Sequence, residues 1–144
     1  MFNLSANSKR RLVDVHPDLV KVITLGLEYS DVDYAITEGL RSLDRQKELV
    51  AKGFSHTLHS QHLKQSDGYG HAVDVTAVGD LNGDGTIDPQ DKALTWDKDL
   101  YGKIAIAIKK AAKELDIGIR WGGDFKTHNG KPFFDGPHFE LWTA

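Results

Sequence analysis

Helical and strand-like segments follow one another irregularly along this chain, and their order constrains the fold more than any other feature of the sequence. A strand-like run at Tyr34–Glu38 precedes a helical segment, and an alternating run at 71–78 precedes the longest helical pattern, 97–116. Two further strand-like runs, 117–121 and 138–142, follow with no helical pattern between them. A parallel, doubly wound sheet would require regular alternation. The sequence therefore predicts an α+β fold with a small, mainly antiparallel sheet and helices packed on it.

Capping residues and apolar spacing predict where the helices begin and end. Pro17 suits the first position of a helix because its missing N–H costs nothing there. Asp44 is expected to cap a helix over 45–52, and Gly53 is expected to end it. The long helix over 97–116 carries one apolar stripe. That stripe consists of Leu100, Ile104, Ile108, Ala111 and Leu115.

Length and composition limit the classes of protein and of site. The 144 residues suffice for one domain, so we expect a single domain over 1–144. The sequence has no cysteine, which excludes disulfides, thiolate metal sites and thiol nucleophiles, so any metal must be held by His, Asp or Glu. A net charge of −3 argues against a nucleic-acid partner, and the composition argues against membrane insertion.

The N-terminal segment does not have the pattern of a signal peptide. Lys9, Arg10 and Arg11 are followed by a mixed amphipathic segment rather than by a continuous apolar run. We therefore expect synthesis in the cytoplasm, followed by release or separate export to the place of action.

Residues 80–91 match the pattern of an EF-hand calcium loop. Oxygen-bearing side chains stand at loop positions 1, 3, 5, 9 and 12, and Gly85 stands at position 6, where the loop turns sharply. Asp91 replaces the usual glutamate, and a strand is expected before the loop, so the pattern predicts one embedded loop rather than a paired EF-hand domain. The alternative is an acidic turn that binds no ion. The candidate calcium ligands are Asp80, Asn82, Asp84, Thr86 through its carbonyl, Asp88 and Asp91.

Histidines and carboxylates that can carry chemistry lie in three separate stretches. Taken singly, each has an ordinary alternative, such as a solvated histidine or a buried, hydrogen-bonded aspartate. Together, two imidazoles and one carboxylate make the ligand set of a catalytic zinc, which leaves a fourth position for water. Asp135, three residues before His138, is a candidate general base for that water. The stretches are Ser60-Gln61-His62, Gly70-His71-Ala72-Val73-Asp74 and Asp135-Gly136-Pro137-His138-Phe139-Glu140.

At these stretches the chain resembles a family of zinc peptidases. The family includes D-alanyl-D-alanine carboxypeptidases and dipeptidases, and the L-alanyl-D-glutamate peptidases found as phage endolysins. Its pattern is Ser-x-His-x-x-Gly-x-Ala-x-Asp, followed downstream by an acid, two residues and a last histidine. The resemblance spans 17–142 and implies the hedgehog and D-Ala-D-Ala peptidase-like fold. It also implies that His62, Asp74 and His138 hold zinc and that Asp135 is the base.

One departure from the family pattern leaves the first ligand open. The segment 63–69 makes the distance between the two halves of the pattern longer than in the family. Ser60 stands at the matching offset and favours His62. The neighbouring candidates are His56, His59 and His71.

Further residues take their expected roles from the resemblance. Glu38-Gly39-Leu40-Arg41-Ser42 is similar to a strand end of the family, which implies that Arg41 lies beside the zinc and holds a carbonyl oxygen or a substrate carboxylate. The alternative for Arg41 is a surface salt bridge. We also expect the loop 54–59 to line the substrate cleft, and Trp121 and Trp142 to be core aromatics.

The resemblance implies an endolysin that hydrolyses the L-alanyl-D-glutamate bond of the peptidoglycan stem peptide after release to the cell wall. We expect a monomer with zinc as catalytic cofactor and with calcium as a structural or regulatory one. A D-alanyl-D-alanine carboxypeptidase is the alternative within the same chemistry. A non-catalytic, metal-stabilised cell-wall-binding module is the alternative from another class. Serine catalysis is disfavoured because Gly-x-Ser-x-Gly does not occur, and a calcium sensor because the loop is unpaired.

Overall fold

Four strands form one antiparallel sheet in the computed structural model, which describes residues 2–53, 55, 58–95, 97–125 and 135–142. The strand order is β1-β2-β4-β3, so β2 and β4 lie in the centre. This arrangement confirms the predicted α+β fold. The strands are β1 Tyr34–Glu38, β2 Ala72–Ala77, β3 Ile119–Trp121 and β4 His138–Leu141.

Helices precede β1 and separate most of the strands. His16 caps α2 with its side chain, which accepts a hydrogen bond from the Asp18 amide at 3.0 Å, and proline opens the helix as predicted. Within the described ranges no helix has the length and apolar character needed to cross a membrane. The helices are α1 Ala6–Arg11, α2 Pro17–Tyr29, α3 Leu43–Ala51, α4 Pro89–Ala93 and α5 Lys98–Leu115, with a 3-10 turn at Gly122–Asp124.

The predicted cap of α3 was wrong. The hydroxyl of Ser42, not the carboxylate of Asp44, accepts the hydrogen bond from the Arg45 amide, at 3.1 Å. Both residue types are good caps, and here the serine directly follows the extended chain from β1 while Asp44 already lies in the first turn. Gly53 follows the end of the helix with a φ of +79°, as the C-terminal stop requires.

The two faces of the sheet have different roles because side chains alternate along each strand. Val73 and Val75 of β2 and Phe139 of β4 are completely buried in one core cluster with apolar residues of α2 and α5. The opposite face carries polar residues. Asp74 pairs with His138 across β2 and β4, and the register therefore brings their side chains to the same face.

Two apolar residues are more exposed than the sequence predicted. Leu115, at the last position of α5, is 37% exposed, whereas Ile104 and Ile108 are fully buried. Trp142 follows the end of β4 and is 46% exposed. Trp121 does pack against the core, with its ring stacked on Phe139 at a centroid distance of 6.4 Å.

Candidate active site

The three side chains predicted to hold zinc lie together on the polar face of the sheet. Asp74 comes from β2, His138 from β4, and His62 from the segment before β2. Their ligand atoms lie within 4.8 Å of one another. Asp74 Oδ1 is 3.3 Å from His62 Nε2 and 3.4 Å from His138 Nδ1. Elements distant in sequence thus bring two imidazoles to one carboxylate.

The orientation of His62 is fixed by backbone groups. Its Nδ1 lies 2.9 Å from the Gly39 carbonyl, which can only accept, so Nδ1 carries the proton and Nε2 presents a lone pair. The side chain is 2% exposed, and Nε2 forms no hydrogen bond of acceptable geometry with any described residue. The Arg41 amide also donates to the His62 carbonyl at 2.8 Å. A buried, unpartnered nitrogen that faces a carboxylate suits a metal ligand.

The segment after His62 leaves and rejoins the site at nearly the same point. Leu63 bridges to Arg41, and Lys64 bridges to Gly70 in antiparallel fashion. A turn closes between them, because the Gln65 amide donates to the carbonyl of Tyr69 at 2.8 Å. The extra residues predicted at 63–69 therefore form a small hairpin rather than an irregular loop.

The other candidate histidines lie away from this cluster or outside the described residues. His71 Nε2 contacts Asp67 Oδ2 at 2.7 Å, on the hairpin. His59 is exposed. His56 lies outside the described residues, as do Phe54 and Thr57, so the expectation that 54–59 lines a cleft falls partly outside them.

Hydrogen bonding and burial determine the charges at the site. Burial alone would lower the pKa of His138, but its contacts with the carboxylates of Asp74 and Glu140 raise that pKa to about 9. Burial alone would raise the pKa of Asp74, yet the adjoining imidazoles of His138 and His62 hold it well below its usual range. Asp74 is therefore an anion, and a metal cation bound here would replace the Nδ1 proton of His138.

Asp135 lies beside the cluster and is held by its backbone. Its amide donates to the Gly122 carbonyl at 2.9 Å, and its carbonyl accepts from the His138 amide at 3.0 Å. Burial raises the pKa of its carboxyl, while the charges of His138 and Asp74 act on it in opposite directions. A Cβ on Gly122 would lie 2.0 Å from the Asp135 carbonyl oxygen, so glycine is needed for this close approach.

Arg41 follows β1 and lies at the edge of the cluster with its side chain 9% exposed. Its Nε and Nη2 donate to the two carboxylate oxygens of Glu38 at 2.6 and 2.7 Å. Its Nη1 donates to Gln46 Oε1 at 2.7 Å, and its Nη2 also lies 3.8 Å from Asp74 Oδ2. The guanidinium is thus fixed in a salt bridge at the edge of the cluster.

The loop 80–91 folds around its own carboxylates. The two carboxylate oxygens of Asp80 accept from the amides of Gly83 and Gly85 at 3.0 and 2.9 Å. Asp91 is 3% exposed and accepts from the Leu81 amide at 2.8 Å. Carboxylate oxygens of Asp80, Asp84 and Asp91 lie within 4.8 Å of one another.

The sequence assigned no individual role to two buried polar residues that lie beside the cluster. Glu140 accepts from His138 Nε2 at 2.8 Å, and Gln46 of α3 is fully buried and holds Arg41. Glu140 could have been found, because residues two apart on a strand share a face and Glu140 stands two residues after His138. Gln46 carries no comparable signal, because glutamines are common on the exposed faces of helices.

An antiparallel sheet with two histidines and an aspartate gathered on its polar face is compatible with a metallopeptidase. The family described as phage L-alanyl-D-glutamate peptidase matches residues 1–142, and the chain belongs to this family. The family resemblance seen in the sequence is thereby confirmed.

Relatives in phage and bacteria agree with this assignment. The L-alanyl-D-glutamate peptidase of Escherichia phage T5 is 30% identical over 97% of this chain and 98% of its own length. The peptidoglycan L-alanyl-D-glutamate endopeptidase CwlK of Bacillus subtilis (strain 168) is 27% identical over 89% of this chain and 74% of its own. The crystal structure of the Serratia marcescens L-Ala D-Glu endopeptidase ChiX superposes with a TM-score of 0.75, at 42% identity, over 98% of this chain and 90% of that one.

Proposed function

We propose that this chain is a zinc-dependent endopeptidase that hydrolyses the L-alanyl-D-glutamate bond of the peptidoglycan stem peptide. The observation that carries the proposal is the convergence of His62, Asp74 and His138 in a member of the phage L-alanyl-D-glutamate peptidase family. The named relatives in phage T5 and Bacillus subtilis favour this bond over the terminal D-alanine. The enzyme would act as a monomer on the cell wall.

The donor set fits zinc. Two neutral imidazole nitrogens and one carboxylate are a common set for catalytic zinc and leave a position for water. His62 Nε2 is buried without a partner, and both His62 and His138 have a second ring nitrogen engaged by an acceptor, which fixes the tautomer. When bound, zinc polarises the scissile carbonyl and makes water more acidic.

The chain's own residues then move the proton and orient the substrate. Asp135 accepts the proton of the attacking water and passes it to the leaving amine, so that no covalent intermediate forms. Its raised pKa makes it a stronger base than an exposed aspartate. Arg41, held by Glu38 and Gln46, points its remaining donors at the scissile carbonyl oxygen or a substrate carboxylate.

Product analysis tests the bond assignment. With purified murein or a stem pentapeptide, we expect new amino termini at D-glutamate and release of an L-alanine carboxyl group. Mass spectrometry of the fragments distinguishes this result from loss of the terminal D-alanine, the product of a carboxypeptidase. A zinc-loaded protein that binds murein but produces neither fragment would support the cell-wall-binding module instead.

We further propose that the loop 80–91 binds calcium through Asp80, Asn82, Asp84, the Thr86 carbonyl, Asp88 and Asp91. The clustering of three carboxylates in a loop with the EF-hand pattern supports this interpretation, because a cation between them would offset their mutual repulsion. The loop begins six residues after Asp74, shortly after the end of β2, the strand that carries Asp74. Calcium at about 100 times its dissociation constant would favour the ordered loop by roughly 2.7 kcal/mol, which would stabilise the end of β2.

Asp84→Asn tests the calcium proposal. At fixed zinc, wild-type protein should gain thermal stability and activity when calcium is added, whereas Asp84→Asn should need about tenfold more calcium or more, because one ligand charge is lost. Melting temperature and murein hydrolysis are measured with a chelator that spares zinc. Asp31→Asn, an exposed aspartate outside the loop, is the control and should behave as wild type. Equal wild-type activity with and without calcium would reduce the loop to a structural element.

A further inference from the structure

A chain of polar contacts leads from the candidate zinc ligand His138 through buried Glu140 to Arg120 on the edge strand β3. His138 Nε2 lies 2.8 Å from Glu140 Oε1, and Arg120 Nη2 donates to Glu140 Oε2 at 2.9 Å. Glu140 is only 5% exposed although it is a carboxylate. Buried anions are rare unless they are paired, and these two contacts supply the pairing.

We infer that Glu140 is the positioning residue of the metal site: it accepts the Nε2 proton of His138, so that Nδ1, the ring nitrogen beside Asp74, is the one that can bind the metal. The inference rests on the proposed zinc site of His62, Asp74 and His138. A carboxylate has only acceptors to offer Nε2, so this contact selects one of the two tautomers of the ring. The selected tautomer leaves Nδ1, the atom 3.4 Å from Asp74 Oδ1, able to bind a metal.

The sheet register accounts for the position of Glu140. Residues two apart on β4 share a face, so Glu140 projects on the same side as His138. Across the next strand pair, Arg120 of β3 stands directly opposite Glu140. The positions of both partners, His138 and Arg120, are therefore fixed by strands of the sheet rather than by a loop. This accounts for the short distance from each of them to the Glu140 carboxylate.

Arg120 is itself held by aromatic rings. Its guanidinium carbon lies 4.1 Å from the centroid of Trp142 and 5.1 Å from that of Phe125. Phe125 also approaches the ring of His138, with centroids 5.5 Å apart. Glu140 is thus held between two donors, His138 Nε2 and the guanidinium of Arg120.

Zinc affinity and the state of the His138 ring test this role together. Glu140→Gln preserves the shape but cannot accept from both His138 and Arg120, because its amide has one oxygen. We expect zinc to bind about tenfold more weakly in Glu140→Gln and up to about a hundredfold more weakly in Glu140→Ala. Affinity is measured by competition with a chromophoric chelator. Ring nitrogen NMR shifts of His138, measured on the zinc-loaded proteins, should show a single Nε2-protonated ring in wild type and a mixture in Glu140→Ala.

Glu48→Gln provides a matched control. Glu48 also pairs with an arginine, Arg45, at 3.3 Å, but it is exposed on α3, so the same substitution there should leave zinc affinity unchanged. Thermal melting of the metal-free proteins identifies any variant that fails to fold. Arg120→Lys then replaces that variant, and we expect it to bind zinc a few-fold more weakly than wild type. If wild type binds no zinc, the proposed metal site fails. If wild type binds zinc and Glu140→Ala has the same affinity and tautomer, only the role of Glu140 is disproved.

Discussion

Replacing His62 with alanine is expected to abolish zinc binding and to stop peptidoglycan hydrolysis. The variant loses the buried Nε2 and leaves one imidazole and one carboxylate, too few ligands for a catalytic zinc. Zinc content should fall from about one per chain to a small fraction of that. Hydrolysis should fall at least about a thousandfold, which corresponds to several kcal/mol of lost stabilisation at the reacting carbonyl.

The neighbouring histidines provide the controls for His62. His59→Ala and His71→Ala should retain both zinc and activity, because His59 is exposed and His71 pairs with Asp67 on the hairpin. Metal content by atomic spectroscopy and fragment release from murein are measured for all three variants, purified without a histidine tag. Loss of zinc in His71→Ala together with full zinc in His62→Ala would overturn the ligand assignment.

The second large effect is expected for Asp135→Asn, which should lower kcat by about 10²- to 10⁴-fold while zinc remains bound. An amide cannot accept the proton of the attacking water, but it has nearly the same shape as the carboxyl group. The backbone hydrogen bonds that join Asp135 to Gly122 and His138 involve no side-chain atoms and should persist. Asp135→Asn therefore distinguishes a loss of proton transfer, seen as a lower kcat, from a loss of bound zinc.

A nearby carboxylate serves as the reference for Asp135. Asp124 lies in the adjoining 3-10 turn and pairs with Lys109 at 2.8 Å on the surface, so Asp124→Asn removes the same charge from the same region. Its kcat should stay within about twofold of wild type, because exposed ion pairs contribute little. Zinc retained with activity also retained in Asp135→Asn would exclude Asp135 as the base.

The sequence predicted the architecture well because periodicity reports directly on burial. The alternation in β2 and the apolar stripe of α5 each correspond to one buried face, and those faces form the core. The errors fall at the ends of elements. Ser42 and Asp44 are equally good caps by composition, and Leu115 and Trp142, which stand at or just after the end of an element, are partly exposed. Tertiary packing decides such positions, and local patterns do not record it.

For the candidate site, the sequence named the three neighbouring side chains but not their surroundings. The motif offsets favoured His62 over its neighbours, and His62 is the histidine that lies beside Asp74 and His138; the metal itself stays a proposal. Glu140 stands in the same stretch as His138, but its contact with Arg120 depends on the pairing of β4 with β3, which the sequence does not show. Arg41 forms a salt bridge with Glu38, and its Nη2 lies 3.8 Å from Asp74 Oδ2, so its role in catalysis stays a proposal.

Because of the hairpin between His62 and β2, the number of residues in this segment does not determine how far apart the candidate ligands His62 and Asp74 lie. The chain leaves at Lys64 and returns at Gly70, and these residues bridge to each other, so the residues between them add length without adding distance. Gly70 is further fixed by a bridge to Val15. The turn at 65–69 is therefore a suitable insertion site. A tag or a cell-wall-targeting peptide can be inserted there with both ligand-bearing segments left in register.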